Sequence, residues 1–166
     1  LQPPADPPHL EQTGPVLIHP GSGGRDKCWP RQRFEELAVA LDQRHPVRLL
    51  LGEVELETWP QDTLRHWIRH LNAEPVTDLL RLCELLKSTA LFIGNDAGPT
   101  HLAAQMGIPT LALFGPTCPD HWAPRGDLVT VLRPARAKPM SWLSVQGVIE
   151  SANRVLSSAN NAEQTL

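Results

Sequence analysis

The segment His19–Pro30, HPGSGGRDKCWP, carries residue types that can hold an anion. Glycines let a ligand approach backbone N–H groups closely, a lysine supplies a point charge, and an arginine supplies a forked pair of donors. The spacing is not that of a Walker A loop, because Lys27 is neither preceded by Gly nor followed by Ser or Thr. It is not a dinucleotide fingerprint either, because Asp26 replaces the third glycine. Ser22, Arg25 and Lys27 are therefore candidate phosphate ligands, although a solvated surface loop can have the same composition.

A second turn, GNDAGPTHLAAQMG at residues 94–107, also favours an anion. Pro99 suits the first helical position, because it has no N–H to leave unpaired, and this predicts Gly98 as the N-cap. A glycine cap offers no side-chain acceptor, so the N–H groups of Thr100 and His101 are predicted to be free at the positive end of the helix dipole. The pattern predicts a phosphate site, and the alternative is an ordinary tight turn between a strand and a helix.

Asp96, His101 and three glutamates each allow a structural and a ligand-binding interpretation. Asp96 can accept backbone N–H bonds within the turn, which we favour, or it can bind a ligand hydroxyl or orient a cation. His101 can be a buried, hydrogen-bonded histidine, or it can direct a ring N–H at a phosphate. Glu53, Glu55 and Glu57 follow an apolar run, where a carboxylate can hold ribose hydroxyls or simply favour a helix start.

The elements that must position these residues follow from the apolar pattern. Short strands are predicted at Val16–His19, Val47–Gly52 and Leu128–Leu132, and continuous apolar runs of strand length occur at Ala90–Gly94 and Thr110–Gly115. Helical spacing of apolar residues occurs at 34–41, 79–86 and 145–156, and the polar segment 55–71 is predicted to be a helix that Pro60 interrupts or starts. Such strands predict an α/β fold, a Rossmann-like parallel sheet with helices on both faces. Both glycine-rich turns follow strands, at the edge where these sheets bind ligands.

Composition narrows the class of protein. The chain has 166 residues, 41% of them apolar and 20% charged, as in ordinary globular proteins. A net charge of -3 does not favour nucleic acid or an anionic membrane, and no apolar stretch reaches the roughly 18 residues of a membrane span. Three widely separated cysteines without a CxxC pair argue against a disulfide framework and a zinc site, and a reducing cytoplasm fits them best.

The chain is expected to comprise three parts. Residues 1–14, which include four prolines and begin with Leu rather than Met, are typical of an extended linker at the front of a trimmed domain. Residues 15–157 are expected to form one folded α/β domain, and residues 158–166 a frayed tail. The first part has no apolar core of the kind that a signal peptide requires.

The two turns together resemble the C-terminal half of glycosyltransferase family 9, the ADP-heptose:lipopolysaccharide heptosyltransferases. The resemblance covers roughly residues 19–126, with both motifs in the family's order and spacing. It implies one half of a GT-B fold, in which the C-terminal domain binds the nucleotide sugar, so residues 15–157 would be a nucleotide-sugar-binding domain. It also implies a donor site whose diphosphate ligands and second side would comprise Ser22, Gly23, Lys27, Asp96, Gly98, Thr100 and His101. One glutamate, Glu55 or its neighbours Glu53 and Glu57, would hold the ribose.

The resemblance further implies the activity of a parent enzyme. A sugar would pass from a nucleoside-diphosphate donor, ADP-heptose, to a lipopolysaccharide-type acceptor, with Lys27 stabilising the leaving diphosphate. The sequence contains no DxD pair of the kind that would indicate an obligatory metal, and no other cofactor is implied. The acceptor site and catalytic base belong to the family's N-terminal domain, so this chain alone is expected to be inactive. The parent is expected to be cytoplasmic, with a peripheral place at the inner membrane left open.

Two other interpretations of the sequence are open. The chain could be a non-catalytic nucleotide-binding module that regulates a partner, which would be favoured if no acceptor domain preceded it in the intact protein. It could instead be half of a nucleotide-sugar epimerase, a class that shares the architecture. An epimerase would require acid and base side chains around the sugar, and the sequence offers no convincing set.

Overall fold

A computed structural model describes residues 14–163 and contains a six-stranded, entirely parallel sheet. The strands are β1 (Val16–His19), β2 (Val47–Leu51), β3 (Ala73–Pro75), β4 (Leu91–Asn95), β5 (Thr110–Leu113) and β6 (Val129–Leu132). Their order is β3-β2-β1-β4-β5-β6. The predicted α/β fold with a parallel sheet is therefore confirmed.

Seven α-helices in the described part of the chain connect and cover the strands. They are α1 (Arg31–Asp42), α2 (Glu53–Thr58), α3 (Gln61–His70), α4 (Leu79–Lys87), α5 (Gly98–Gln105), α6 (Pro119–Trp122) and α7 (Val145–Glu163). Pro60 separates α2 from α3, as expected for a residue that cannot donate within a helix but suits its beginning. None of the helices within residues 14–163 is both long and apolar enough to cross a membrane.

Successive strand residues point to opposite faces of the sheet, and both faces are buried. On one face Val16 and Ile18 belong to a large apolar cluster with residues of α1, α3 and α7. On the other face Leu17 packs in a smaller cluster with residues of α4 and α5. Burial on both faces is the physical reason for the apolar runs of β1, β4 and β5, because neither side of these three strands contacts water.

The strand order places a topological switch point between β1 and β4. From β1 the chain moves outward through β2 to β3, and it then returns to β4 on the other side of β1. The connections after β1 and β4 leave in opposite directions, and parallel sheets bind ligands in the crevice outside the carboxyl ends of two such strands. The two glycine-rich segments are the connections that begin there.

Three features differ from the sequence-based expectation. β3 and α6 were not expected, because β3 is a three-residue edge strand ending in Pro75 and α6 is a single turn. α7 continues to Glu163, so residues 158–163 are helical where a frayed tail was expected, since no Gly or Pro follows Gly147 to stop the helix. Residues 1–13 of the linker expected at 1–14, and residues 164–166, lie outside the described residues.

Candidate functional site

The segment after β1 and the turn after β4 lie against each other at the switch point. The Ser22 hydroxyl donates to the backbone carbonyl of Asp96 at 2.9 Å, and Lys27 Nζ lies 3.2 Å from Asp96 Oδ2. We call residues 20–28 the β1 loop and residues 96–98 the β4 turn. Two segments that are more than 65 residues apart in the chain are thus joined at one edge of the sheet.

Asn95, the last residue of β4, anchors both ends of the β1 loop. Its side chain is fully buried; Nδ2 donates to the Pro20 carbonyl at 2.8 Å, and Oδ1 accepts the Trp29 N–H at 3.0 Å. Trp29 is itself fixed, because its indole N–H donates to the Leu143 carbonyl at 2.9 Å. A single amide side chain therefore satisfies a buried donor and a buried acceptor of the loop, and it sets where the loop begins and ends.

Asp96 holds two side chains that can carry positive charge. Its carboxylate is only 7% exposed, with Lys27 at Oδ2 and His101 Nε2 at 3.4 Å from Oδ1. Lys27 and His101 are each about one third exposed, so both reach the surface beside the buried acid. Asp96 thus orients a cation, the second of its predicted roles, rather than accepting backbone N–H groups within the described residues.

The helix after β4 begins one residue earlier than predicted, which corrects the expected set of free amides. Ala97, not Gly98, is the N-cap, and its carbonyl accepts the N–H groups of Thr100 at 3.0 Å and His101 at 3.3 Å. These two amides are therefore not free. Gly98 occupies the first helical position, and within residues 14–163 its N–H donates to no acceptor. With Pro99 lacking a donor, Gly98 supplies the free amide at this end of the helix.

Open space lies beside two exposed glycines, one from each segment. A Cβ built on Gly23 or on Gly98 meets no atom of the described residues within 4 Å. Thr100 is the opposite case, because it is fully buried and its hydroxyl donates to the Asn95 carbonyl at 2.6 Å. The glycine backbones therefore border the crevice, while Thr100 supports the turn from within.

Among the three candidate glutamates, Glu55 alone is buried, at 2% exposure, whereas Glu53 and Glu57 are exposed. Its Oε2 accepts the Gly52 N–H at 2.9 Å and lies 3.4 Å from His19 Nε2. The β1 loop rests directly on this carboxylate, since a Cβ on Gly21 would lie 2.0 Å from Glu55 Oε1. Glu55 is therefore an internal support of the loop in this structure.

We expect replacement of Glu55 by Gln to destabilise the fold in a pH-dependent way. Burial by itself would raise the pKa of Glu55, but hydrogen bonding and charge from His19 and the Gly52 N–H lower it below its ordinary value of 4.5. A lowered pKa in the folded state means that the ionised carboxylate stabilises the fold above pH 4.5. This contribution is lost as the pH falls through the pKa of the folded state.

Chemical denaturation at pH 7 should show Glu55→Gln to be less stable by about 1.5–3 kcal/mol, the usual effect of a lost hydrogen bond to a charged group. The difference in the free energy of unfolding between the wild type and Glu55→Gln should become smaller as the pH is lowered below 4.5. Glu57→Gln, on the exposed side of the same helix, is the control and should match the wild type at every pH. A constant deficit at all pH values would show that the charge of Glu55 is not what stabilises the loop.

His19 and Asn95 contact the β1 loop region at the candidate site, and the sequence interpretation gave them no role. Each is the polar last residue of an otherwise apolar strand, and each makes its contacts beneath the β1 loop. The sequence could have indicated these two residues, because each is a polar residue at the end of an apolar strand and buried polar groups are nearly always hydrogen-bonded. Within residues 14–163, no three His, Cys, Asp or Glu side chains lie close enough to hold a metal ion.

Comparison with known proteins places the chain among glycosyltransferases. The family described as glycosyltransferase family 9 (heptosyltransferase) matches residues 4–145. Lipopolysaccharide heptosyltransferase 3 of Escherichia coli K12 is 32% identical over 116 residues, 66% of this chain and 33% of the relative. Lipopolysaccharide heptosyltransferase 1 of Campylobacter coli is 30% identical over 115 residues, 61% of this chain and 32% of the relative. This chain thus spans about a third of the length of these relatives.

Solved structures confirm the fold. The E. coli ADP-heptose lipopolysaccharide heptosyltransferase II superposes with a TM-score of 0.71 at 22% identity, over 92% of this chain and 49% of that one. The E. coli heptosyltransferase WaaC with ADP gives the same TM-score and identity, over 87% and 45%. The predicted Rossmann-like half of a GT-B fold is therefore confirmed.

Proposed function

The chain belongs to glycosyltransferase family 9, and from that premise we propose that it binds the nucleoside-diphosphate sugar donor of a heptosyltransferase. The donor is ADP-heptose, and the acceptor of the whole enzyme is of the lipopolysaccharide type. The observation that carries the proposal is the meeting of Lys27 with the β4 turn through Asp96 at the switch point. The relatives' names support the choice of sugar and acceptor.

In this proposal the crevice between the β1 loop and the β4 turn holds the diphosphate. Lys27 and the Gly98 N–H face the phosphates, and Gly23 and Gly98 leave room for them. His101, which contacts the other carboxylate oxygen of Asp96, directs a ring N–H at the phosphates as well. A departing diphosphate gains negative charge as the sugar leaves, and fixed donors aimed at that charge lower the barrier. Asp96 and Ser22 hold the donors in place, so little reorganisation accompanies the reaction.

The remaining chemistry requires groups that we place elsewhere in the whole enzyme. A hydroxyl of the acceptor must attack the anomeric carbon and must lose a proton to a base. We assign the acceptor site and this base to the part of the relatives that the chain does not cover, and we assign the enzyme to the cytoplasm. The isolated chain then binds donor without transferring sugar, and transfer of labelled heptose to a lipid A-type acceptor by the pure chain would contradict this assignment.

The proposal predicts that Lys27→Ala weakens binding of ADP roughly tenfold or more, because a charge-assisted hydrogen bond to phosphate is lost. Isothermal titration calorimetry of the 166-residue chain with ADP measures the effect. Affinity of the wild type should also fall as salt rises, since Lys27 is partly exposed.

Lys87→Ala is the matched control, because Lys87 is an exposed lysine at the end of α4, at the opposite edge of the sheet. It should bind ADP like the wild type. Equal affinities for wild type and Lys27→Ala would remove Lys27 from the site. A wild-type chain that shows no affinity for ADP or any other nucleoside diphosphate would overturn the proposed function.

A further inference from the structure

A large aromatic side chain lies exposed next to the crevice and has no role in the site described so far. Trp122, at the end of α6, is 58% exposed, and Lys27 Nζ lies 5.9 Å from the centroid of its ring. α6 follows β5, so Trp122 belongs to the same carboxyl edge as the β1 loop and the β4 turn. An exposed indole at a polar crevice has both an apolar face and an N–H with which to meet a ligand.

The segment that carries Trp122 is held by hydrogen bonds and an ion pair to residues 133–142. The Lys138 N–H donates to the Gly115 carbonyl at 3.1 Å, and the Trp142 indole N–H donates to the Phe114 carbonyl at 2.9 Å. Asp120 of α6 forms an ion pair with Arg133 at 2.6 Å, which ties the helix to the segment after β6. Trp122 is thus presented to solvent by an anchored element rather than by a free loop.

One polar atom in this segment also lacks a partner. Thr117 Oγ1 is inaccessible to solvent and makes no hydrogen bond within residues 14–163. Thr117 lies between β5 and α6, on the connection that leads to Trp122. An unsatisfied hydroxyl and an exposed indole thus lie on one short connection, and neither has a role in the site described so far.

The order of the strands assigns the parts of a nucleotide sugar to positions along the edge. Glu55 follows β2 in the chain, and Trp122 follows β5. Lys27 and Asp96 meet between β1 and β4. The strands themselves lie in the spatial order β2-β1-β4-β5. A nucleotide sugar is linear, with the nucleoside and the sugar on opposite sides of the diphosphate. With the nucleoside toward β2, where a Rossmann-like sheet holds ribose, the sugar extends toward β5.

We propose that Trp122 is a specificity-determining residue that stacks against the transferred sugar of the donor. This inference rests on the proposed function, because it takes the diphosphate to lie between Lys27 and Gly98. The C–H face of a pyranose ring packs against the indole, while the sugar hydroxyls remain available for hydrogen bonds. Lys27, between the indole and Asp96, then marks the boundary between the sugar and the diphosphate.

The test is the ratio of two dissociation constants, that for ADP over that for ADP-heptose, measured by calorimetry on the 166-residue chain. For the wild type we expect a ratio clearly above 1, because the sugar adds contacts. Trp122→Ala should weaken ADP-heptose binding roughly three- to tenfold and bring the ratio towards 1, as expected for loss of one aromatic contact. Trp122→Phe should restore most of the ratio, and Leu128→Ala, another exposed apolar side chain, should leave it unchanged.

Three outcomes would overturn the inference while leaving donor binding intact. The first is a wild-type ratio of 1, the second is a ratio unchanged in Trp122→Ala, and the third is an equal loss of ADP and ADP-heptose affinity in that variant. The third outcome would assign Trp122 to the nucleotide. Failure of the wild type to bind either ligand would instead overturn the proposed function and this inference with it. Circular dichroism confirms that each variant folds before titration.

Discussion

Gly98→Val is expected to weaken ADP binding more than about thirtyfold, or about 2 kcal/mol. The space beside Gly98 is open towards the crevice, and a β-branched side chain would occupy the volume that the phosphate needs. The side chain would also shield the Gly98 N–H, the amide that is free at this end of α5. Titration of the purified variant with ADP measures the loss.

A stability control separates this effect from damage to the fold. Gly98 precedes Pro99 inside the helix, where a side chain crowds the proline ring, so the variant should lose about 1 kcal/mol of stability. Gly107, beyond the other end of α5, has φ +74° and should lose a similar amount as Gly107→Ala, because of backbone strain. Gly107→Ala should still bind ADP. Wild-type affinity in Gly98→Val would show that the phosphate does not lie against Gly98.

Asn95→Leu is expected to cause the largest loss of stability among the variants considered, about 3 kcal/mol. The substitution leaves the Trp29 N–H and the Pro20 carbonyl buried without their partner, and each such group costs about 1–3 kcal/mol. For a chain of this size the melting temperature should fall by roughly 6–12 °C. The measurement is thermal unfolding followed by circular dichroism.

The matched control is Asn153→Leu on α7, where the asparagine is only partly buried and its side chain makes no hydrogen bond within the described residues. It should melt close to the wild type. Asn95→Leu should also bind ADP weakly even when fully folded, because the β1 loop loses its anchor. A melting temperature within about 2 °C of the wild type would mean that the loop is held by its other contacts, such as Ser22 to Asp96.

The strands and most helices could be predicted from sequence because their signals are local. Burial on both faces makes β1, β4 and β5 predominantly apolar. Phe34, Leu37, Ala38 and Leu41 are all buried on one side of α1, as their spacing predicted. β3 escaped prediction because an edge strand of three residues with Glu74 and Pro75 has no such signal.

The site was only partly predictable, for reasons that lie in tertiary structure. That the two turns share one edge followed from parallel strands, and their contact is now seen between Lys27 and Asp96. The helix start was assigned one residue too far along because Pro99 is tolerated at the second helical position as well as the first, and the predicted free amides were therefore wrong. The support of the β1 loop by Asn95 depends on the register of β1 against β4, which no local pattern reveals.

The central position of β1 has a consequence for how the molecule folds. β1 can pair with β2 early, but its other neighbour, β4, follows about 75 residues later, as the Asn95–Pro20 contact shows. Closing so long a segment costs chain entropy before any contact offsets it, so high contact order delays this step. The crevice can therefore form only after β4 has paired with β1. A nucleotide that binds there binds the native state alone, and it stabilises the entire domain by mass action rather than one loop.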